Sequence, residues 1–352
     1  MDIISKLIQS SRDNILHCCL KNGAIVAANP TKKSKETKNY FYVWPRDASY
    51  ACIALDILGI KNVQEKFFDW LMEKAEGWEQ TGLFYEKYYV NGLQSLHRFQ
   101  PDQTGIVLFA VSHHFKNVGK IPAKYRKLVV KSADGICENW DKDHFKTITN
   151  DLWEERLSFP DLKENFTYSL GACYAGLIEA NRHFPNKKYL KTATEMKNAV
   201  LKNTKSHLFR SFGEINDERI DASLLGIIWP FKMISLKDVL TKNTVDEIEK
   251  KIVKSFGVFR YEHDQYDGWM LGTIHRKKGA GFWPLLNFWM AIVLNKMGQK
   301  QKAMQYFQNA LPKHGTNIPE QVFNNNIQKS VSPLCWGHSM FVIASKELGF
   351  YK

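Results

Sequence analysis

The sequence has no CxxC pair, no linker rich in proline, glycine and serine, no long basic run and no apolar stretch of membrane-spanning length. Each absence narrows the reading. Its six cysteines are Cys18, Cys19, Cys52, Cys137, Cys173 and Cys335, none at ligand spacing. Cys52, Cys173 and Cys335 lie in apolar runs, so they read as small buried hydrophobes and not as disulfides or a metal site. Without about 20 consecutive apolar residues no transmembrane helix is expected. The segment Met1–Leu20 carries Asp2, Lys6, Arg12 and Asp13 and lacks the apolar centre of a signal peptide. The expectation is a cytoplasmic protein without a membrane partner. Without a linker, residues 1–352 are expected to form a single domain. A net charge of +13 invites a nucleic-acid partner. The lysines, however, are spread over amphipathic segments (Lys61, Lys66, Lys74; Lys187, Lys188, Lys191, Lys197), as on a solvated outer face. No nucleic acid is expected.

What the chain does have is helical periodicity of two alternating kinds. Apolar residues occupy nearly every side of Ala48–Leu58, Thr104–Phe115, Thr167–Ala180, Asp221–Trp229, Phe282–Leu294 and Leu334–Ser345. Such helices are buried on most sides. Between them lie amphipathic segments rich in Lys and Glu: Ile3–Leu20, Asn62–Glu76, Pro122–Trp140, Lys188–Asn203, Leu236–Phe256 and Lys300–Leu311. Alternation of inner and outer helices predicts six αα-hairpins in a closed ring, an all-α (α/α)6 barrel. An open helical solenoid is the alternative, but the segments share no fixed period or repeat signature. Strand-like stretches at Gly82–Val90 and Gly257–Glu262 are expected to form short β-hairpins on loops at the mouth.

The unusual residues gather just before the inner helices. They are Tyr40, Trp44, Arg46 and Asp47; Arg98, Gln100, Asp102 and Gln103; Glu154 and Glu155; Arg219 and Asp221; Gly279, Gly281 and Trp283; and Glu320 and Gln321. Inner helices of a hairpin barrel all point one way, so these loops converge on one mouth. The stretch Asp151-Leu152-Trp153-Glu154-Glu155 stands out, because a carboxyl beside an indole is partly desolvated and holds its proton toward neutrality. A general acid acting on a sugar acetal needs that property. Aromatic residues, 13% of the chain, suit a carbohydrate cleft. Simpler readings stand beside these. Arg46–Asp47 also fits a structural ion pair, Glu320 a surface acid, and Asp221 a helix cap. Trp283 and Trp289 are spaced like core residues. Asn165-Phe166-Thr167 fits a glycosylation sequon or, better, a helix cap, and His113-His114 reads as structural.

The motifs YFYVWPRD (Tyr40–Asp47), DLWEE (Asp151–Glu155), DASLL (Asp221–Leu225), PEQ (Pro319–Gln321) and SPLCWGHS (Ser332–Ser339) resemble those of glycoside hydrolase family 15, the glucoamylase family. The resemblance runs over nearly the full length. It implies the (α/α)6 barrel and an inverting α-glucosidase that releases β-D-glucose from non-reducing ends. It implies Glu154 as general acid and Glu320 as general base. Arg46 and Asp47 would grip the terminal glucosyl unit, with Tyr40 supporting the base. Trp44, Trp153 and Trp336 would line the sugar, and Glu155 would bind the leaving side. The division between Glu154 and Glu155 comes from the resemblance alone. Gln100, Asp102, Arg219 and Trp283, at the same mouth, complete the expected substrate-binding set.

Three departures bear on substrate. The chain starts almost at its first helix, where prokaryotic members usually carry a β-sandwich domain. No secretion signal or starch-binding domain of the fungal kind is evident. Leu96 stands where fungal members have a sugar-stacking Trp. A short oligosaccharide or disaccharide is therefore expected as partner. Inversion requires carboxyls roughly 6.5–9.5 Å apart and needs no metal or organic cofactor. Alternatives are a trehalase or isomalto-oligosaccharide hydrolase of the same family, or a non-catalytic carbohydrate-sensing module. A terpenoid cyclase would carry DDxxD or DxDD, and neither occurs.

Overall fold

Burial alternates from helix to helix along the chain. The computed structural model describes residues 3–30, 40–116, 119–268, 279–325 and 328–351. Its helices are α1 (Ile3–Cys18), α2 (Pro45–Ile57), α3 (Val63–Lys74), α4 (Trp78–Thr81), α5 (Pro101–Phe115), α6 (Ala123–Asn139) and α7 (Thr167–His183), followed by α8 (Lys187–Lys202), α9 (Leu225–Ile228), α10 (Val239–Ile252), α11 (Pro284–Lys296), α12 (Lys300–Asn309) and α13 (Cys335–Glu347). Helices α2, α5, α11 and α13 are buried on nearly every side, whereas α1 buries only Leu7, Ser11, Ile15 and Cys18, one residue per turn. That difference is the one between apolar and amphipathic sequence.

The inner helices pack in the order α2, α5, α7, α9, α11, α13, and α13 closes back on α2. Helix α1 packs on α13, α3 on α2, α6 on α5, α8 on α7 and α12 on α11. The result is an (α/α)6 barrel. Helices α5 and α7 meet backbone to backbone: a Cβ added at Gly105 would lie 2.4 Å from the Ala172 carbonyl carbon, and one at Gly176 2.5 Å from the Gly105 oxygen.

Three inner helices begin on a proline, which suits the first helical position because its missing N–H has no intrahelical partner. The residue before each proline is held extended: Trp44 (ψ 115°), Gln100 (ψ 99°) and Trp283 (ψ 113°). The prolines thus restrain the backbone just before these helices, that of Trp44 and Trp283 included.

Three expectations are corrected. The fourth inner helix is only α9, after a single 3-10 turn at Ala222–Leu224, because Trp229 precedes Pro230 and is extended (ψ 132°). The stretch Gly82–Val90 forms isolated bridges to three partners (Val43 with Tyr88, Tyr88 with Gln94, Tyr85 with Phe99) and no continuous hairpin. Asn165 does not cap α7. It pairs with Phe212 in a two-residue strand, is 1% exposed, and donates to the Asp143 and Lys163 carbonyls. The expected β-hairpin survives where Val253–Lys254 pairs with Gly257–Val258. Among the described residues no helix is long and apolar enough to cross a membrane.

Candidate active site

A cleft of about 560 Å³ opens at the N-terminal ends of the inner helices. Tyr40, Trp44, Arg46, Asp47, Lys87, Leu152, Trp153, Glu154, Glu155, Arg260, Tyr266, Trp283, Glu320, Leu334 and Trp336 line it. The chain separates these residues by up to 296 positions, so convergence of the loops is a product of the barrel.

Arg46 anchors the floor. Its guanidinium pairs with Asp47 at 3.1 Å and Asp102 at 3.2 Å and lies 4.9 Å from the Trp336 ring centroid. Burial would push the guanidinium down, but the two aspartates hold it charged. Burial raises Asp47 to about 6 despite Arg46. Gln103 accepts from the Arg46 backbone N–H at 2.6 Å and donates to Gln100, which donates in turn to the Asp151 carbonyl.

Glu154 sits in the left-handed region (φ 63°), an unfavourable conformation for a non-glycine residue that aims the side chain off the loop. Asp151 supports this turn by accepting from the Glu155 and Arg156 backbone N–H groups at 2.8 and 3.2 Å. Trp44 Nε1 donates to Glu154 Oε1 at 2.5 Å, and the Lys87 ammonium lies 3.2 Å from Oε2. Burial raises the Glu154 pKa, with Lys87 pulling against it. The adjacent indole, expected to desolvate Glu154, is itself anchored, with Trp153 Nε1 donating to Asp221 at 2.9 Å.

Glu320 faces the same cleft. The Tyr40 hydroxyl donates to its Oε1 at 2.6 Å and lies 3.2 Å from the Tyr266 hydroxyl. Its Oε2 is buried without a hydrogen-bond partner among the described residues. Burial raises its pKa from 4.5 to about 7, against the pull of Tyr40 and Arg260. Both glutamates are therefore desolvated, and charged and hydrogen-bonding neighbours moderate each.

Glu155 is held apart from Glu154. Arg260 reaches it at 2.8 Å, the Tyr261 hydroxyl donates to it, and Asp264 fixes Arg260 at 2.7 Å. The Arg260 guanidinium lies 5.3 Å from the centroids of both Trp153 and Trp283 and 4.7 Å from that of Tyr266.

Of the expected set, Tyr40, Trp44, Arg46, Asp47, Trp153, Glu154, Glu155, Trp283, Glu320 and Trp336 meet in the cleft. Gln100 and Asp102 do not. Both are 0% exposed at the start of α5, beneath Arg46 and Asp151. Arg219 does not either; it turns outward and pairs with Asp217 at 2.8 Å. Asp221 both caps the 3-10 turn at Ser223 N–H and pairs with Arg210 at 3.2 Å, so the fourth loop supports the cleft from below. His113 and His114 are structural, both bonded to Asp56 of α2 at 3.2 and 2.7 Å. Lys87, Arg260 and Tyr266 were not foreseen. All three lie in or just after the two strand-like stretches, where Arg260 and Tyr266 belong to the aromatic and charged run Phe259–Tyr266.

The sequence model of glycosyl hydrolases family 15 matches residues 73–348. An uncharacterized glycosyl hydrolase of Methanocaldococcus jannaschii is 31% identical over 94% of this chain, which spans 54% of that protein's length. An isomaltose glucohydrolase of Kribbella flavida is 21% identical, the match covering 88% of this chain and 85% of that protein. A solved wild-type glycosidase, 21% identical, superposes over 100% of both chains with a TM-score of 0.80 and supports the fold. By its sequence match and the hairpin barrel that carries it, the chain belongs to glycosyl hydrolases family 15.

Proposed function

We propose that residues 1–352 work as one catalytic unit, an inverting exo-acting α-glucosidase. It would release β-D-glucose from the non-reducing end of short α-glucans or oligosaccharides. The observation that carries this reading is a single cleft lined by two desolvated carboxyls, one with a free oxygen. Glu154 is the general acid: burial favours its protonated form, ready to protonate the glycosidic oxygen. Glu320 is the general base. Tyr40 occupies Oε1, which leaves Oε2 to accept a proton from the water that attacks the anomeric carbon. Attack opposite to the leaving oxygen inverts the anomer.

Arg46 and Asp47 grip the hydroxyls of the terminal unit with donors and acceptors already fixed by Asp102 and Trp336. Little reorganisation is then needed at the transition state. Trp44, Trp153, Trp283 and Trp336 line the sugar, and Glu155, held by Arg260, serves the leaving side. Gln100, Asp102 and Arg219 bind no sugar in this scheme. The isomaltose glucohydrolase, matched over most of both chains, favours an α-1,6-linked disaccharide as a second reading of the substrate.

The test is to incubate the protein with maltose, isomaltose, trehalose and maltotriose and to follow the anomer of released glucose by NMR. β-Glucose from one of them, abolished by Glu154→Gln and by Glu320→Gln, is the expected result. α-Glucose as the nascent product of the attacked unit (for trehalose, two α-glucose, since its leaving unit stays α in either mechanism) overturns the mechanism, and no release from any of them favours a non-catalytic sugar-sensing role.

A further inference from the structure

Glu320 stands on a loop that its neighbours in sequence do not hold by themselves. The Glu320 backbone N–H donates to the Val331 carbonyl at 2.8 Å. Two residues earlier, both backbone groups of Ile318 are tied to the start of α13. Its carbonyl accepts from Leu334 N–H at 3.0 Å, and its N–H donates to His338 Nε2 at 3.1 Å. With Nε2 accepting, the ring proton resides on Nδ1, which donates to Ser11 Oγ of α1 at 2.9 Å. Ser11, Ile318 and His338 are each 0% exposed. Helix α1 touches the same loop once more, where Ser10 Oγ lies 2.8 Å from Thr316 Oγ1. The first turn of α13, which carries His338, also carries Trp336 of the cleft.

We propose that His338, oriented by Ser11, is a positioning residue that fixes the Ile318–Glu320 segment and thereby the placement of the general base. The outer helix α1 then acts on the reaction from behind the ring, although none of its residues lines the cleft. The geometry favours this over simple core filling. A core histidine needs its polar atoms satisfied by any partner, whereas here one ring nitrogen accepts the backbone N–H two residues before Glu320. Burial keeps the ring neutral by lowering its pKa to about 3, so the tautomer holds throughout the working pH range. A neutral ring with one fixed tautomer is a rigid spacer between two elements. This inference rests on the reading of Glu320 as the base.

Three variants test it. His338→Gln puts an acceptor near the Nε2 position, and His338→Asn puts one near Nδ1. Ser11→Ala removes only the partner that orients the ring. In His338→Asn, kcat on the best disaccharide of the panel should fall at least about tenfold, toward the 10²-fold that a misplacement of about 1 Å costs. KM should stay within about twofold. His338→Gln should recover most of the loss, and Ser11→Ala should lose least. Independently of activity, amide exchange at Ile318 should quicken in His338→Asn and stay slow in His338→Gln. Equal kcat in the Asn and Gln variants, or slow Ile318 exchange in both, overturns the proposal. Should wild type hydrolyse sugars while Glu320→Gln keeps its activity, the assignment of the base fails, and the Ile318 exchange pattern still judges the tie by itself.

Discussion

A carboxyl whose pKa sits near neutrality makes its protonation state depend on each neighbour. Glu320 is held down from a higher value by the Tyr40 hydroxyl and by Arg260. Tyr40→Phe removes one of these, so Glu320 gives up its proton later, and the acidic limb of kcat/KM should move up by about one pH unit. Lys87→Met instead removes the cation that favours ionised Glu154, and only the basic limb should move up. A pH–rate series on the two variants checks both, and a shift of the same limb in both would refute the division of roles. The same burial has a cost in stability. Glu320 is raised from 4.5 to about 7 on folding, so its ionised form opposes the folded state fully above about pH 7 and not at all below about 4.5. Glu320→Gln should therefore raise stability by about 3 kcal/mol at pH 8 and leave it nearly unchanged at pH 4, measured by urea unfolding. Of the ten convergent residues, Trp336 came from the family resemblance alone, and nine were legible from position, since each precedes an inner helix. Lys87 and Arg260 were not, because their meaning depends on which carboxylate faces them, Glu154 and Glu155 respectively, and no local pattern encodes that pairing.

At the scale of elements, hydrophobic periodicity carried the helices and their alternation, since burial on all sides or on one stripe is written directly in the side chains. It failed at α9, where Pro230 cuts an apolar run short, and at Gly82–Val90, where isolated bridges replace a ladder. Nor does periodicity report how closely two helices approach. Gly105 of α5 and Gly176 of α7 are in backbone contact, with no room for a methyl group on either. Gly105→Ala gains helix propensity of about 1 kcal/mol. It must also force α5 away from α7, whose N-terminal ends carry Asp102 and Thr167, and overpacking of this kind costs about 1–3 kcal/mol or more. The clash lies with backbone, which cannot rotate away, so the loss should win. A lowered denaturation midpoint for Gly105→Ala, together with weaker activity because Asp102 braces Arg46, is the expected outcome. Stabilisation would show that the helices separate freely.

For the whole molecule, ring closure decides which segments of the chain respond together. Five of the six inter-helix loops at the mouth line the cleft among the described residues, and the fourth, around Arg219 and Asp221, lies beneath or outside it. On the proposed reading, a bound sugar would bridge segments from the first hairpin to the last. A ligand that binds only the folded state stabilises it by about 2.7 kcal/mol at 100 times its Kd. In Glu154→Gln, which should bind without turnover, saturating disaccharide should slow amide exchange around residues 40–47, 152–155, 258–266 and 318–321 together. These segments are distant in sequence and joined only by the barrel. Protection should be least near Arg219, whose guanidinium is spent on Asp217 at the surface. A response confined to one loop would mean that the sugar sits outside the cleft. Strong protection at Arg219 would restore that residue to the binding set from which its geometry removes it.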